Sequence, residues 1–161
     1  MQSSLRAVAL ACFLAASAGV AMAADSAPTS SAQPAAVDKL GKARELIASK
    51  QWQAAISELK QVNATGDASW NNLMGYSNRK AKTPDLAAAD KYYAAALAID
   101  PKHAPTLEYQ GELRLQQGDL AGAEKNLSAL DKGLFKSAEY KELKAAIEQY
   151  KSSGNKYVSR D

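Results

Sequence analysis

Few side chains in this sequence could do acid–base, nucleophilic or metal chemistry at neutral pH. The chain has a single histidine, His103, and a single cysteine, Cys12. A metal site or a nucleophile–base pair needs several such groups brought together, and no paired acidic motif at ligand spacing accompanies His103. Because His103 closely follows Asp100-Pro101, we expect it in a solvent-exposed loop between helices. The sequence therefore predicts neither a metal nor another cofactor.

One acidic pair leaves an enzyme as an open alternative. Glu108 and Glu112 are four positions apart, which places both carboxylates on one face of a helix. Two carboxylates could act as general acid and general base in a hydrolase or transferase, although such pairs on helices are usually solvated. We therefore predict a non-catalytic protein and keep this pair as the enzyme alternative.

Composition and charge narrow the class of protein. The chain has 161 residues, of which 47% are hydrophobic and 23% charged, and these fractions are typical of a globular protein. Its 20 Lys and Arg residues nearly balance its 17 Asp and Glu residues, giving a net charge of +3. A dedicated nucleic-acid binder normally concentrates basic charge against phosphates. We therefore expect no nucleic-acid partner.

Residues 1–23 have the pattern of a secretory signal peptide. A positively charged start is followed by an apolar run, 7–20, and then by the small residues of Ala21-Met22-Ala23. We predict cleavage after Ala23 and a periplasmic or secreted protein. An uncleaved anchor is the alternative, but a bilayer span takes about 20 apolar residues and this run is shorter. No stable membrane insertion is expected after cleavage.

Both ends of the predicted mature chain look unstructured. Residues 24–36 contain two prolines, several serines and no large apolar residue, so they are predicted to form a flexible leader. At the other end, the Ser152-Ser153-Gly154 run closes the last helical pattern, and residues 152–161 are predicted to form a flexible tail.

Internal repetition is the strongest signal in the sequence. Ala55, Ala89 and Ala123 recur at a constant interval, each with a large residue three positions before it and another four positions after it. This pattern predicts amphipathic helices in which a small side chain lets a neighbouring helix approach closely. An upstream helix precedes each of them, with a small residue at its expected contact: Ala43, Gly75 and Gly111.

A period of about 34 residues with two helices per unit resembles the tetratricopeptide repeat. The third unit carries the resemblance best, through Gly111, the Gly118-Asp119-Leu120 turn, Ala123 and Leu127. The resemblance implies an all-α, right-handed solenoid of three helix-turn-helix repeats, at about 37–66, 67–101 and 102–131. The second unit contributes Trp70, Met74, Gly75, Ala89, Tyr93, Ala96 and Asp100-Pro101, and the degenerate first unit keeps Ala43, Leu46, Trp52, Ala55 and Leu59.

A further amphipathic helix follows the repeats. Tyr140, Leu143, Ile147 and Tyr150 fall on one face of the pattern, with charges elsewhere. Because stacked repeats leave an exposed apolar end that needs a polar-backed cap, residues 132–151 are predicted to form a capping helix. The alternative is a helix that binds a partner or a membrane surface.

In tetratricopeptide arrays the first helices of successive repeats line a concave groove. Tyrosine rings would give contact area there, arginine bidentate carboxylate contacts, and asparagine hydrogen bonds to a peptide backbone. The predicted function is a scaffold that holds a protein or peptide partner. The alternative is a self-associating structural module in which the first repeat or the last helix packs on a second copy. The resemblance places these side chains in the groove: Arg44, Asn72, Tyr76, Arg79, Glu108, Tyr109 and Glu112.

Overall fold

The computed structural model describes residues 38–131 and 136–159 of the chain. These residues belong to one compact unit, Val37–Asp161. The predicted signal peptide, the predicted leader, residues 132–135 of the predicted capping segment and the last two residues of the tail lie outside the described residues.

The described residues contain seven α-helices and no strand, which confirms the predicted all-α class. The final helix begins at Ala138 and ends at Ser152, one residue beyond the predicted end of the capping helix. The helices are α1 (Gly41–Ala48), α2 (Trp52–Val62), α3 (Ala68–Lys80), α4 (Leu86–Ile99), α5 (Ala104–Gln116), α6 (Leu120–Leu130) and α7 (Ala138–Ser152).

Local chemistry sets where the helices begin and end. Four helices start at a side-chain cap that accepts a hydrogen bond from a backbone N–H three residues on, and such a cap typically stabilises a helix by about 1 kcal/mol. The turn between α5 and α6 uses Gly118 at φ +81°, where a residue with a side chain would be strained. The caps are Asp67 before α3, Asp85 before α4, Asp119 before α6 and Ser137 before α7.

Two sets of contacts join the helices. Each helix packs against the next one along the chain, and α1, α3, α5 and α7 also contact one another in that order. We call α1, α3, α5 and α7 the odd layer. Side chains on the odd layer therefore meet across successive helix pairs, and this arrangement positions the candidate site.

The small residues of the repeated pattern lie at helix contacts. Ala55, Ala89 and Ala123 have no exposed surface, which confirms their predicted place in the interior. A β-carbon on Gly75 would lie 2.6 Å from a ring carbon of Tyr93, so α3 and α4 approach each other too closely for a larger residue. The corresponding clash at Gly111 is with Leu143 of α7, also at 2.6 Å, rather than with α6.

The residues that follow α7, within the stretch 152–161 predicted as a flexible tail, contact the helices. Gly154 and Asn155 adopt left-handed conformations, with φ of 68° and 60°, and turn the chain back after α7. Tyr157 then packs against the apolar cluster formed by α5, α6 and α7. Its hydroxyl lies 3.2 Å from Nη1 of Arg79 on α3. The apolar cluster and the buried Arg79 side chain therefore both contact Tyr157, in a segment whose composition alone predicts fraying.

Candidate functional site

A cleft of about 410 Å³ runs along α1, α3 and α5. It brings together four of the seven residues predicted for the groove: Arg44, Asn72, Tyr76 and Tyr109. Its walls combine apolar, aromatic, hydroxyl, amide and cationic side chains, a mixture suited to a polar chain segment. We call it the α1–α3–α5 cleft, and the residues that line it are Arg44, Ile47, Ser69, Asn72, Leu73, Tyr76, His103, Pro105 and Tyr109.

Stacked aromatic rings form one wall of this cleft. The ring centroids of Tyr76 and Tyr109 are 4.6 Å apart with an interplanar angle of 39°. Trp52 meets Tyr76 edge-on at 5.8 Å and 71°. The first pair is tilted, and the second has the edge-to-face geometry that aromatic pairs favour. Burial, reinforced by the charge of Glu108, raises the pKa of Tyr109 to about 12, so its hydroxyl is neutral and can both donate and accept hydrogen bonds.

Arg44 supplies a cation at the α1 side of the cleft. Its Nη1 lies 2.7 Å from each carboxylate oxygen of Asp38, and this hydrogen bonding lowers the pKa of the Asp38 carboxyl. The two side chains are 48% and 61% exposed. Ion pairs this exposed contribute little net stability because water and salt screen them. A carboxylate on a bound segment can therefore replace Asp38 at little cost.

A hydrogen-bonded chain of four side chains forms the polar wall and ties α3 to α5. Thr106 Oγ1 donates to Asn72 Oδ1 at 3.1 Å, so it accepts from His103 Nδ1 at 2.7 Å. The other ring nitrogen, Nε2, lies 3.2 Å from Ser69 Oγ. The expectation that His103 is a solvent-exposed loop residue is wrong. It is half-buried because it directly precedes α5 and bonds to both helices.

The Ser69–His103 contact has the spacing of a nucleophile and its general base. In a Ser–His–Asp triad, however, the far ring nitrogen meets a carboxylate that stabilises the imidazolium as it forms. Here that nitrogen meets the hydroxyl of Thr106, which in turn bonds the neutral amide of Asn72. The network is suited to orienting its own side chains and to binding polar groups of a ligand.

Arg79 and Glu112, both predicted for the groove, form a buried ion pair instead of lining the cleft. Only 3% of Arg79 and 7% of Glu112 is exposed. Arg79 Nη2 lies 2.7 Å from Glu112 Oε2, and the guanidinium carbon lies 5.7 Å from the ring centroid of Tyr76. The pair joins α3 to α5, and Tyr157 approaches the remaining terminal nitrogen of the guanidinium.

Glu108 lies beside the cleft on the α5 side that faces α7. Burial, together with the negative charges of Glu112, Glu139 and Glu142, raises the pKa of Glu108 to about 8. Its carboxyl is therefore mostly protonated at neutral pH. A neutral Glu108 adds no negative charge next to Tyr109. Arg44, which is paired with the exposed Asp38 carboxylate, is the cationic side chain that lines the cleft.

Several cleft residues were absent from the sequence-based site. Ser69, Leu73, His103 and Pro105 line it. The signal that could have found two of them is the repeat period, because Ser69 and His103 are 34 residues apart and in contact. Asn72 and Thr106, which are also in contact, have the same separation.

Three further properties leave the function of the protein open: its possible metal ligands, the length of its apolar helices and its similarity to known proteins. Within residues 38–131 and 136–159, no group of three or more His, Cys, Asp or Glu side chains could hold a metal ion. Nor is any helix in that part of the chain long and apolar enough to cross a membrane. No protein-family model matches the chain, and no curated protein is significantly similar to it.

Proposed function

We propose that this protein is a non-catalytic interaction scaffold that binds an extended segment of a partner protein or peptide in the α1–α3–α5 cleft. The observation that carries the proposal is the composition of that cleft. The rings of Tyr76 and Tyr109 offer contact area, Arg44 offers a cation at one end, and a hydroxyl and imidazole wall stands opposite. Peptide recognition commonly combines such features, with the rings giving area and the polar groups giving direction.

The preferred segment carries an acidic side chain. Arg44 already binds a carboxylate of this chain, that of Asp38, through a contact exposed enough to be exchanged. An incoming carboxylate would make the same charge-assisted hydrogen bonds.

The proposal includes a tetratricopeptide-like architecture. In it, α1–α2, α3–α4 and α5–α6 are three helix-turn-helix repeats of a right-handed solenoid, and α7 caps the apolar end. Supporting this, the buried alanines recur at the same interval, 34 residues, that separates the hydrogen-bonded pairs between α3 and α5. The odd layer then corresponds to the first helices of the repeats, where such arrays place their binding surface.

Export is the second part of the proposal. A signal peptide at residues 1–23 would direct the chain to the periplasm or the medium. The partner would then be a protein of the cell envelope or one outside the cell. Nucleic acid and stable membrane insertion form no part of the proposal.

A peptide selection with matched variants tests the site. Phage-displayed decapeptides are selected on the purified chain, and the enriched peptides are then measured by anisotropy. The variant Arg44→Glu/Ile47→Ala changes two cleft side chains, and we expect it to weaken binding at least about tenfold, or about 1.4 kcal/mol. The control Lys91→Glu/Ile99→Ala makes the same chemical changes on the exposed surface of α4 and should bind as the unchanged chain does.

The outcomes separate this function from the alternatives. Enriched peptides should contain Asp or Glu, and their binding should weaken with added salt. If both double variants bind them equally well, the cleft is not the site. If no peptide is enriched while sedimentation shows the chain associating as its concentration rises, the self-associating structural module becomes the better account.

A further inference from the structure

Residues 156–159, here called the C-terminal segment, return to the odd layer and cover the buried ion pair. The left-handed residues Gly154 and Asn155 make the reversal, which is closed by a 3.0 Å hydrogen bond from the Asn155 N–H to the Tyr150 carbonyl. The segment itself is neither helix nor strand. Its Tyr157 and Ser159 side chains contact the helices.

Tyr157 is the side chain that anchors the segment. Its ring packs against the apolar cluster of α5, α6 and α7, and its hydroxyl lies 3.2 Å from Arg79 Nη1. Beyond it, Ser159 makes a long contact of 3.4 Å with Lys80 Nζ, and Val158 is 45% exposed. A short surface segment of this kind can open and close without disturbing the helices that it contacts.

Unfilled space remains beside Tyr157. A second cleft of about 410 Å³ adjoins the segment, with Arg79, Lys80, Pro84, Gln116 and Tyr157 among the residues that line it. The Arg79 side chain is almost wholly buried, and its Nη1 donates a hydrogen bond to the Tyr157 hydroxyl. A tyrosine from another segment could accept the same charge-assisted hydrogen bond beside this cleft.

We propose that Arg79, Glu112 and the adjoining cleft form a recognition site for a tyrosine in an extended segment, and that Tyr157 occupies it in cis. A partner segment bearing a tyrosine takes the site by displacing the C-terminal segment. The inference extends the proposed function, since the Arg79 guanidinium lies 5.7 Å from the Tyr76 ring, which also lines the α1–α3–α5 cleft. The two sites are therefore neighbours along α3.

Binding of the chain's own tail sequence in trans tests the proposal directly. The probe is a fluorescent decapeptide of residues 152–161, SSGNKYVSRD. In the unchanged chain the tethered segment competes at a high effective concentration. We expect saturable binding to the Tyr157→Ala chain that is at least about tenfold tighter than binding to the unchanged chain. The control Val158→Ala should behave as the unchanged chain, because Val158 is exposed.

Two further comparisons identify the contact and separate this inference from the proposed function. A probe with phenylalanine in place of its tyrosine should bind more weakly, since it cannot accept the hydrogen bond from Arg79. Adding Arg44→Glu/Ile47→Ala to the Tyr157→Ala chain should leave tail binding unchanged, even though the same double substitution weakens binding of the selected peptides. Loss of one binding activity without the other therefore shows which proposal fails.

Proteolysis gives an independent readout in case Tyr157→Ala alters folding. Trypsin cleavage after Lys156 requires the segment to detach, so mass spectrometry should show it at least about fivefold faster in Tyr157→Phe than in the unchanged chain. Tyr157→Phe keeps the ring and removes only the hydroxyl. Equal cleavage rates in the two chains would overturn the proposal. It would also be overturned if the tail peptide bound no chain, or bound every chain equally well.

Discussion

The buried ion pair between α3 and α5 gives the sharpest test of the structure. Glu112→Gln removes the charge that faces Arg79 Nη2 at 2.7 Å and leaves a guanidinium that is only 3% exposed opposite a neutral amide. Breaking a buried pair in this way typically costs about 3–5 kcal/mol, because one charge stays desolvated and uncompensated. We expect about 3 kcal/mol, since Arg79 keeps its contacts with Tyr157 and the Tyr76 ring.

A double variant separates the charge effect from loss of packing. Replacing both partners, as Arg79→Met/Glu112→Leu, removes two buried charges together and should be close to neutral relative to the unchanged chain. The matched control is Glu148→Gln on α7, whose pair with Lys144 has side chains 54% and 66% exposed. That substitution should cost less than about 0.5 kcal/mol.

Urea unfolding at 25 °C and pH 7, followed by far-UV circular dichroism, measures all four chains. An expected loss of about 3 kcal/mol is a large fraction of the roughly 5–15 kcal/mol that is usual for a domain, so the midpoint should move clearly. If Glu112→Gln costs no more than Glu148→Gln, the pair is not buried as described. Arg79 and Glu112 would then return to the solvent-exposed groove that the sequence suggested.

Three other perturbations probe titration and packing in the same helices. Because Glu108 has a folded-state pKa of about 8 against its ordinary 4.5, the stability it contributes falls as pH rises from about 4.5 to about 8, by roughly 1–2 kcal/mol for a half-buried, partly screened carboxyl. Melting temperatures across that window should fall, and less steeply in Glu108→Gln. Gly111→Ala should lower the free energy of urea unfolding by about 1–3 kcal/mol because its β-carbon would meet Leu143 at 2.6 Å, whereas Gly66→Ala, with nothing within 4 Å, should not. Ala123→Trp, at a position with no exposed surface, should prevent cooperative thermal unfolding.

Much of the fold follows from spacing alone. Alanines recurring at a constant interval predicted helices that meet at small side chains, and the structure buries all three completely. Such regularity is local and periodic, so a single sequence reveals it. The position of the C-terminal segment could not be predicted in this way. Its contact between Tyr157 and Arg79 joins residues that are 78 positions apart.

The candidate site was predictable only in part, for a geometric reason. A helix position can face the groove or the neighbouring helix, and a modest rotation of the helix decides which. Arg79 lies one turn beyond Tyr76 on α3, yet Tyr76 lines the cleft while Arg79 turns towards Glu112. The sequence-based prediction lacked one kind of information, which is the pairing of side chains between α3 and α5. Ser69 with His103 and Asn72 with Thr106 are separated by 34 residues, and Arg79 with Glu112 by 33.

The side-chain pairs between α3 and α5 also affect how the cleft would bind a peptide. The wall residues Asn72 and His103 already have partners within the chain, and Tyr76 is packed between two aromatic rings. Little side-chain freedom is left to lose, which lowers the entropic cost of binding. The contacts that can be exchanged are those of two arginines: Arg44 holds an exposed carboxylate in the cleft, and Arg79 holds Tyr157 at the neighbouring site. Contact area would therefore come from the rigid walls of the cleft, and discrimination between partners from the two arginines.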